Sequence, residues 1–240
     1  FSSLKETDLV VLDINDVLII TEDQCQHANT LPLLCSILIR EAQKLKKQSL
    51  DAISIYKAQE LLFTEPTYRL VEKSALLYIE QLQKAGVPVM GLTDIGLFIK
   101  EFDYMSWTHD TLRSLGIHFN PISAVMDTSR VSSSFESGIV FSRGRNKGRV
   151  MSDFLQELAF NPSSVIFIDD SPHNVLAMEI AMAERGIPCS AFRYKGAHRL
   201  YQDHIDQDVL TYQVRHLLQT KQWINDQKAK QILEKDRNGL

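Results

Sequence analysis

The sequence predicts an α/β protein, a parallel sheet with helices on both faces. Two observations carry this prediction. Short apolar runs, Leu9-Val10-Val11-Leu12 and Val165-Ile166-Phe167-Ile168, are rich in Val, Ile and Phe and each end in aspartate, the pattern of buried parallel strands. A helix–glycine–strand unit also recurs, with Gly86, Gly116 and Gly186 each closing a helical stretch before the next apolar segment. Strands alternating with helices in this way belong to a parallel sheet.

The first strand is expected over residues 8–14, with Val17-Leu18-Ile19-Ile20 as an extended segment able to fold back as a flap. Residues 24–66 read as a small helical insertion. Leu34, Ile37, Leu38 and Leu45 form the apolar stripe of its first helix, with Glu41 facing out, and Ser49 is the expected N-cap of its second. Pro66 ends the insertion. A third helix over 69–84 stops at Ala85-Gly86, and a strand over 87–92 leads to Thr93-Asp94, where Asp94 is a candidate cap for the next helix. The segment 107–115 reads as helix, 127–137 as a polar loop and 138–141 as a strand or hairpin arm. Arg143-Gly144-Arg145-Asn146-Lys147-Gly148 then leads into a helix over 149–159. Asn161-Pro162-Ser163-Ser164 is a turn before the second acid-tipped strand, followed by a helix over 174–184 and a strand over 188–192. Two amphipathic helices fill 206–236, with Leu210, Val214, Leu217, Leu218, Trp223, Ile224 and Ile232 as buried positions. The expected division is an α/β core over 1–205 carrying the 24–66 insertion, and a helical extension over 206–240.

Composition narrows the function classes. A hydrophobic fraction of 44% supplies a full core and 23% charged residues a solvated surface. The net charge of -4 gives no electrostatic basis for binding nucleic acid or an anionic membrane. Cys25, Cys35 and Cys189 form no metal-ligand pattern, and an odd, unpaired count fits a reducing compartment, so a cytoplasmic protein is expected. The start at Phe1 keeps secretion or the periplasm open as the alternative.

Ligands of parallel sheets bind in the crevice beyond the carboxyl ends of the strands. Four segments fall at such strand or helix ends in a fixed order: Asp13 with Asn15, then Thr93, then Lys147, then Asp169-Asp170. Singly, each has an ordinary reading, since an aspartate after a strand is often a turn residue and a lysine a solvated charge. Together they supply a carboxylate nucleophile, a hydroxyl and an ammonium for phosphate oxygens, and further carboxylates for Mg²⁺.

On these motifs the chain resembles the haloacid dehalogenase (HAD) superfamily of phosphohydrolases. Asp13-Ile14-Asn15-Asp16-Val17 matches its first motif, Thr93 its second, Lys147 its third, and Asp169-Asp170 with Asn174 its fourth. The resemblance spans residues 8–196 and is nearest to an uncharacterised bacterial HAD-like phosphatase group. It implies a Rossmann-like sheet and a Mg²⁺-dependent phosphomonoesterase. Asp13 would form an aspartyl-phosphate, and Thr93 and Lys147 would bind the transferring phosphoryl group. Asp169, an oxygen of Asp13 and the main-chain carbonyl of Asn15 would hold Mg²⁺, with Asp170 and Asn174 in or just behind that shell.

Asn15 departs from the motif. The family's second aspartate exchanges a proton with the leaving group and with water, which an amide cannot do. Loss of a general acid–base costs about 10²–10⁴-fold in rate. Asp16 is expected to point away as the next residue along an extended strand end. Three readings are open: a natural weak or non-hydrolytic member, an engineered replacement of a native aspartate, or hydrolysis through another group. The rival of a different class is a phosphate- or protein-binding module on the same scaffold. A receiver domain uses Asp, Thr and Lys with Mg²⁺ too, but its paired acids come first in the chain. No P-loop or dinucleotide glycine signature occurs. His173, near Asp170, and Arg143 and Arg145, before Lys147, are secondary candidates for contact with the substrate, which is expected to be a phosphorylated small molecule or macromolecule.

Overall fold

The computed structural model describes residues 4–24, 27, 30–48, 52–94, 102–119, 135–201 and 205–237. In chain order the strands are β1 (Leu9–Leu12), β2 (Ile19–Thr21), β3 (Tyr68–Leu70), β4 (Val89–Thr93), β5 (Phe135–Glu136), β6 (Ile139–Phe141), β7 (Val165–Asp169) and β8 (Cys189–Arg193). The helices are α1 (Leu31–Lys47), α2 (Ile55–Thr64), α3 (Ser74–Lys84) and α4 (Tyr104–Ser114), then α5 (Lys147–Glu157), α6 (Pro172–Glu184), α7 (Gln207–Thr220) and α8 (Asp226–Arg237). The chain divides into two compact units: residues 1–20, 70–97 and 103–199 form one, and residues 21–69, 98–102 and 200–240 the other. None of the described helices is long and apolar enough to cross a membrane.

The first unit is built on a six-stranded sheet of order β5-β6-β4-β1-β7-β8. Every pairing is parallel except the β5–β6 hairpin. β1 is central and buried along its whole length, which is why it reads as an unbroken apolar run rather than an alternating one. Leu9 and Val11, with Val165 and Phe167 of β7, share a cluster with Met151, Phe154 and Leu155 of α5 and Met178, Ala181 and Met182 of α6. Val10, Leu12, Ile166 and Ile168 alternate with these and line a cavity of about 150 Å³ with Ile79 and Leu82 of α3. The chain runs from β1 to β4 on one side and reaches β7 on the other, so the carboxyl ends of these three strands form the switch point at which ligands of such sheets bind.

In the second unit, α1 and α2 pack with α7 around Leu34, Ile37, Leu38, Leu61, Val214 and Leu217. The sequence set 206–240 apart from the 24–66 insertion, whereas the structure joins the two in one unit. A polar network fastens them. Asp23 accepts the Trp223 indole N–H at 2.8 Å and the Asp226 amide at 3.0 Å, and Gln213 donates to Asp226 at 2.9 Å.

Three local expectations change. Glu41 does not face out; it is fully buried and accepts from Arg215 on α7 at 2.7 Å, from Lys44 at 2.9 Å and from Arg40 at 3.1 Å. Its position on the apolar stripe is tolerated because three cations compensate it. Ser54, not Ser49, caps α2, its hydroxyl accepting from the Lys57 amide at 3.1 Å; Ser49 lies outside the described residues. Residues 69 and 70, read as the start of a helix, belong to strand β3, because pairing with β2 outweighs local helix propensity there. Among the cysteines, Cys35 and Cys189 are free thiols, and Cys25 lies outside the described residues, as do 127–134 of the polar loop.

Burial alone would raise the Glu41 carboxyl, but the bonds from Lys44, Arg215 and Arg40 overcome it and lower the pKa to about 2. A folded pKa below the unfolded one stabilises above the unfolded value of about 4.3 and loses that effect as pH falls toward 2. Glu41→Gln is therefore expected to cost about 1–3 kcal/mol at pH 7. In urea denaturation, the gap between wild type and variant should close between about pH 4.5 and pH 2.

Candidate active site

Asp13, Thr93 and Asp169 stand at the carboxyl ends of β1, β4 and β7, and Lys147 opens α5. The Asp13 amide donates to the Ile168 carbonyl at 2.9 Å, which holds the two acid-tipped strands in register at their ends. Lys147 Nζ lies 2.7 Å from Asp13 Oδ1 and 2.8 Å from Asp169 Oδ2, and all three side chains are buried. Oxygens of Asp13, Asp169 and Asp170 come within 4.8 Å of one another. Asp13, Lys147 and the Asp169-Asp170 pair thus meet in one place, and Thr93 ends the strand paired with β1.

Asp169 accepts four hydrogen bonds from three donors: Lys147, the Ser171 amide at 2.9 Å, and Asn174 Nδ2 at 3.1 and 3.2 Å to its two oxygens. Ser171 and Pro172 begin α6, so the electropositive end of that helix also faces this carboxylate. Asp13 Oδ1 accepts from Lys147 and from the Ile14 amide at 2.8 Å. The Thr93 hydroxyl is fully buried, and its Oγ1 has no hydrogen-bond partner among the described residues.

The charges do not balance. Three carboxylates against one ammonium leave a formal excess of two negative charges. Burial, and then repulsion from Asp169, push Asp13 up to about 7 against the pull of Lys147. Burial and Asp169 likewise raise Asp170. Burial alone would lower Lys147, but Asp13 and Asp169 outweigh it and keep the lysine firmly protonated. A divalent cation suits this donor set, since hard carboxylate oxygens are Mg²⁺ ligands and ligand–metal distances near 2.1 Å place opposite ligands about 4.2 Å apart. Oxygens within 4.8 Å of one another are compatible with such a site.

The remaining candidates lie around this cluster. Asn15 is half-buried and its backbone bridges to Ile19. Asp16 has φ 60°, so the segment turns there and is not the extended strand end expected from the sequence. His173 is exposed on the first turn of α6. Arg145, in the loop before α5, reaches Asp153 of that helix at 3.9 Å, and Arg143 reaches Met105 Sδ at 3.2 Å. Asp94 binds back to the loop before α5, accepting from Ser142 Oγ at 2.9 Å and the Gly144 amide at 2.6 Å; the segment it was expected to cap lies outside the described residues.

Sequence reasoning missed Gly148. A Cβ at this position would lie 2.1 Å from the Ala177 carbonyl oxygen, so only glycine lets α5 sit this close to α6. That approach sets Lys147 beside Asp169 and Asn174. A glycine inside a helical pattern was the available signal.

Fold and site together define an α/β protein with an acid–lysine–hydroxyl crevice at the ends of its parallel strands. The chain belongs to the family described as "protein of unknown function (DUF2608)", whose model matches residues 2–230. No curated protein matches it. Among solved structures it is similar to a haloacid dehalogenase-like family hydrolase from Streptococcus pneumoniae, with 14% identity over 84% of this chain and 92% of the other, at TM-score 0.40. It is also similar to the HAD domain of an effector protein from Legionella pneumophila. The inactive mutant of that domain gives 12% identity over 80% and 90%, at TM-score 0.39, and the unmutated form 13% over 80% and 91%, at 0.38. Likeness at this level carries no argument about activity.

Gly148→Ala tests the helix seat. Helix propensity by itself favours alanine by roughly 1 kcal/mol. Overpacking against the Ala177 backbone should outweigh this, for a net loss of about 1–3 kcal/mol in chemical denaturation.

Proposed function

We propose that this protein is a Mg²⁺-dependent phosphomonoester hydrolase of HAD type acting through an aspartyl-phosphate, with Asn15 at the acid–base position. The observation that carries the reading is the meeting of Asp13, Asp169 and Asp170 around Lys147, next to the buried, unpartnered Thr93 hydroxyl. A buried hydroxyl without a partner is costly unless a ligand oxygen completes it.

Asp13 and Asp170 are the side chains best suited to hold Mg²⁺, with the Asn15 carbonyl, because the oxygens of Asp169 already accept four hydrogen bonds. Asp169 would then orient Lys147 and Asn174 rather than serve as the principal ligand. The sequence alone had favoured Asp169. Bound Mg²⁺ would neutralise the excess negative charge and polarise a phosphoryl oxygen. It would also lower Asp13 from its raised pKa, leaving the carboxylate ionised as a nucleophile.

An Asp13 oxygen would attack phosphorus as the ester P–O bond breaks, while Lys147 and the Thr93 hydroxyl bind the equatorial oxygens. Water would then attack phosphorus of the aspartyl-phosphate, releasing phosphate and regenerating Asp13. Because Asn15 can neither give nor take a proton, the leaving alkoxide would take its proton from solvent and the attacking water would give one up to solvent, which lowers the rate. The substrate is proposed to be a phosphorylated small molecule or macromolecule.

Asn15 itself favours a second reading, a phosphate-binding module with little turnover. Hydrolysis of p-nitrophenyl phosphate with Mg²⁺ separates the two. Asn15→Asp should raise kcat by about 10²-fold or more, Asp13→Asn should abolish turnover, and EDTA should remove it. If Asn15→Asp turns over no faster than Asp13→Asn, the hydrolase reading fails and the binding module stands.

A further inference from the structure

We propose that Asp94 is the positioning residue that delivers Lys147 to the acid cluster, by clamping the loop 142–146 to the end of β4. The proposal rests on the phosphohydrolase reading for what Lys147 does, and on geometry for how Lys147 arrives there.

Three hydrogen bonds make the clamp. The Ser142 amide donates to the Thr93 carbonyl at 2.8 Å, continuing the β4–β6 ladder by one step. The Ser142 hydroxyl donates to Asp94 Oδ1 at 2.9 Å, and the Gly144 amide donates to the same oxygen at 2.6 Å. Ser142 is fully buried, so its hydroxyl depends on an acceptor inside the protein. The clamp ties the strand carrying Thr93 to the loop carrying Lys147.

The loop needs such a restraint. Arg143 at φ 52° and Gly144 at φ 77° are consecutive left-handed residues. Glycine adopts that region freely, whereas arginine does not, and such a conformation persists only where its surroundings over-determine it. The single carboxylate oxygen of Asp94 bonds the residues on both sides of Arg143. The turn closes with the Arg145 amide on the Ser142 carbonyl at 3.1 Å, and Asn146 then caps α5 by accepting from the Arg149 amide at 3.0 Å.

Only Arg145 and Asn146 separate Gly144 from Lys147, so loop movement reaches the lysine backbone directly. The lysine has little slack, being buried with its Nζ shared between Asp13 and Asp169. Gly148, seated on the Ala177 carbonyl, fixes the same helix end from the α6 side. What the clamp requires of residue 94 is an acceptor oxygen rather than a charge, so an asparagine should serve.

The test compares wild type, Asp94→Ala, Asp94→Asn, Lys147→Ala and the Asp94→Ala/Lys147→Ala double variant. Amide hydrogen exchange at Gly144 reads the clamp, and calorimetric affinity for inorganic phosphate in Mg²⁺ reads the delivery of Lys147. Asp94→Ala should speed Gly144 exchange about tenfold or more, with Asp94→Asn close to wild type. Asp94→Ala should weaken phosphate binding about tenfold, and add nothing further on the Lys147→Ala background. Unchanged Gly144 exchange in Asp94→Ala, failure of Asp94→Asn to restore it, or additive losses with Lys147→Ala would each overturn the proposal. If wild type binds no phosphate, the phosphohydrolase reading falls. Gly144 exchange, with the position of Lys147 Nζ in a crystal structure of Asp94→Ala, then decides the clamp.

Discussion

Lys147 lies between Asp13 and Asp169, and the first unit is organised around that buried contact. An ammonium held 2.7 and 2.8 Å from two buried carboxylates requires three separate backbones to meet within a few ångströms. β1 and β7 are adjacent parallel strands that end together, so their aspartates arrive side by side. α5 must then begin above that point, and its approach is set by the Gly148 seat on α6 and by the loop that joins β6 to Lys147. Breaking a buried pair by removing one partner is far more costly than either charge alone suggests. The surrounding hydrogen bonds are accordingly dense, four of them converging on Asp169.

One cation cannot neutralise three acids. The raised pKa values of Asp13 and Asp170 express that imbalance in the protein alone. In the proposed function, a divalent cation would offset that imbalance and allow a phosphoryl group to approach. The Thr93 hydroxyl supports the same proposal through a different atom, as a buried group with no partner among the described residues that a phosphoryl oxygen would complete.

The second unit solves a comparable problem differently. Glu41 sits on the apolar stripe of α1 and is retained there by Arg40, Lys44 and Arg215, all of which are about half exposed. Those cations keep most of their hydration while the carboxylate gives up its own. Asp23 similarly gathers the Trp223 indole and the Asp226 amide, so that residues 21–24 and the C-terminal helices form one structure. Insertion and tail, remote in sequence, stabilise each other.

The sequence by itself determined the fold class and singled out Asp13, Lys147 and Asp169-Asp170, which the fold brings together. Apolar strands ending in Asp13 and Asp169 are legible because strand burial on both faces demands unbroken Val, Ile and Phe. Thr93 and Lys147 are legible because each follows a strand or opens a helix, where chain direction alone places it at the crevice. Tertiary structure decided the rest, because neighbours outside the local window decide it. Glu41 looks like a surface residue until Arg215, far along the chain, is brought to it. Residues 68–70 are strand only through pairing with β2. Asp169 accepts four hydrogen bonds because of where α6 begins, and Gly148 matters only because another backbone lies 2.1 Å from its missing side chain. Periodicity and strand ends record what a residue does along its own segment. Which oxygen meets which donor is set by segments that touch only in the folded chain.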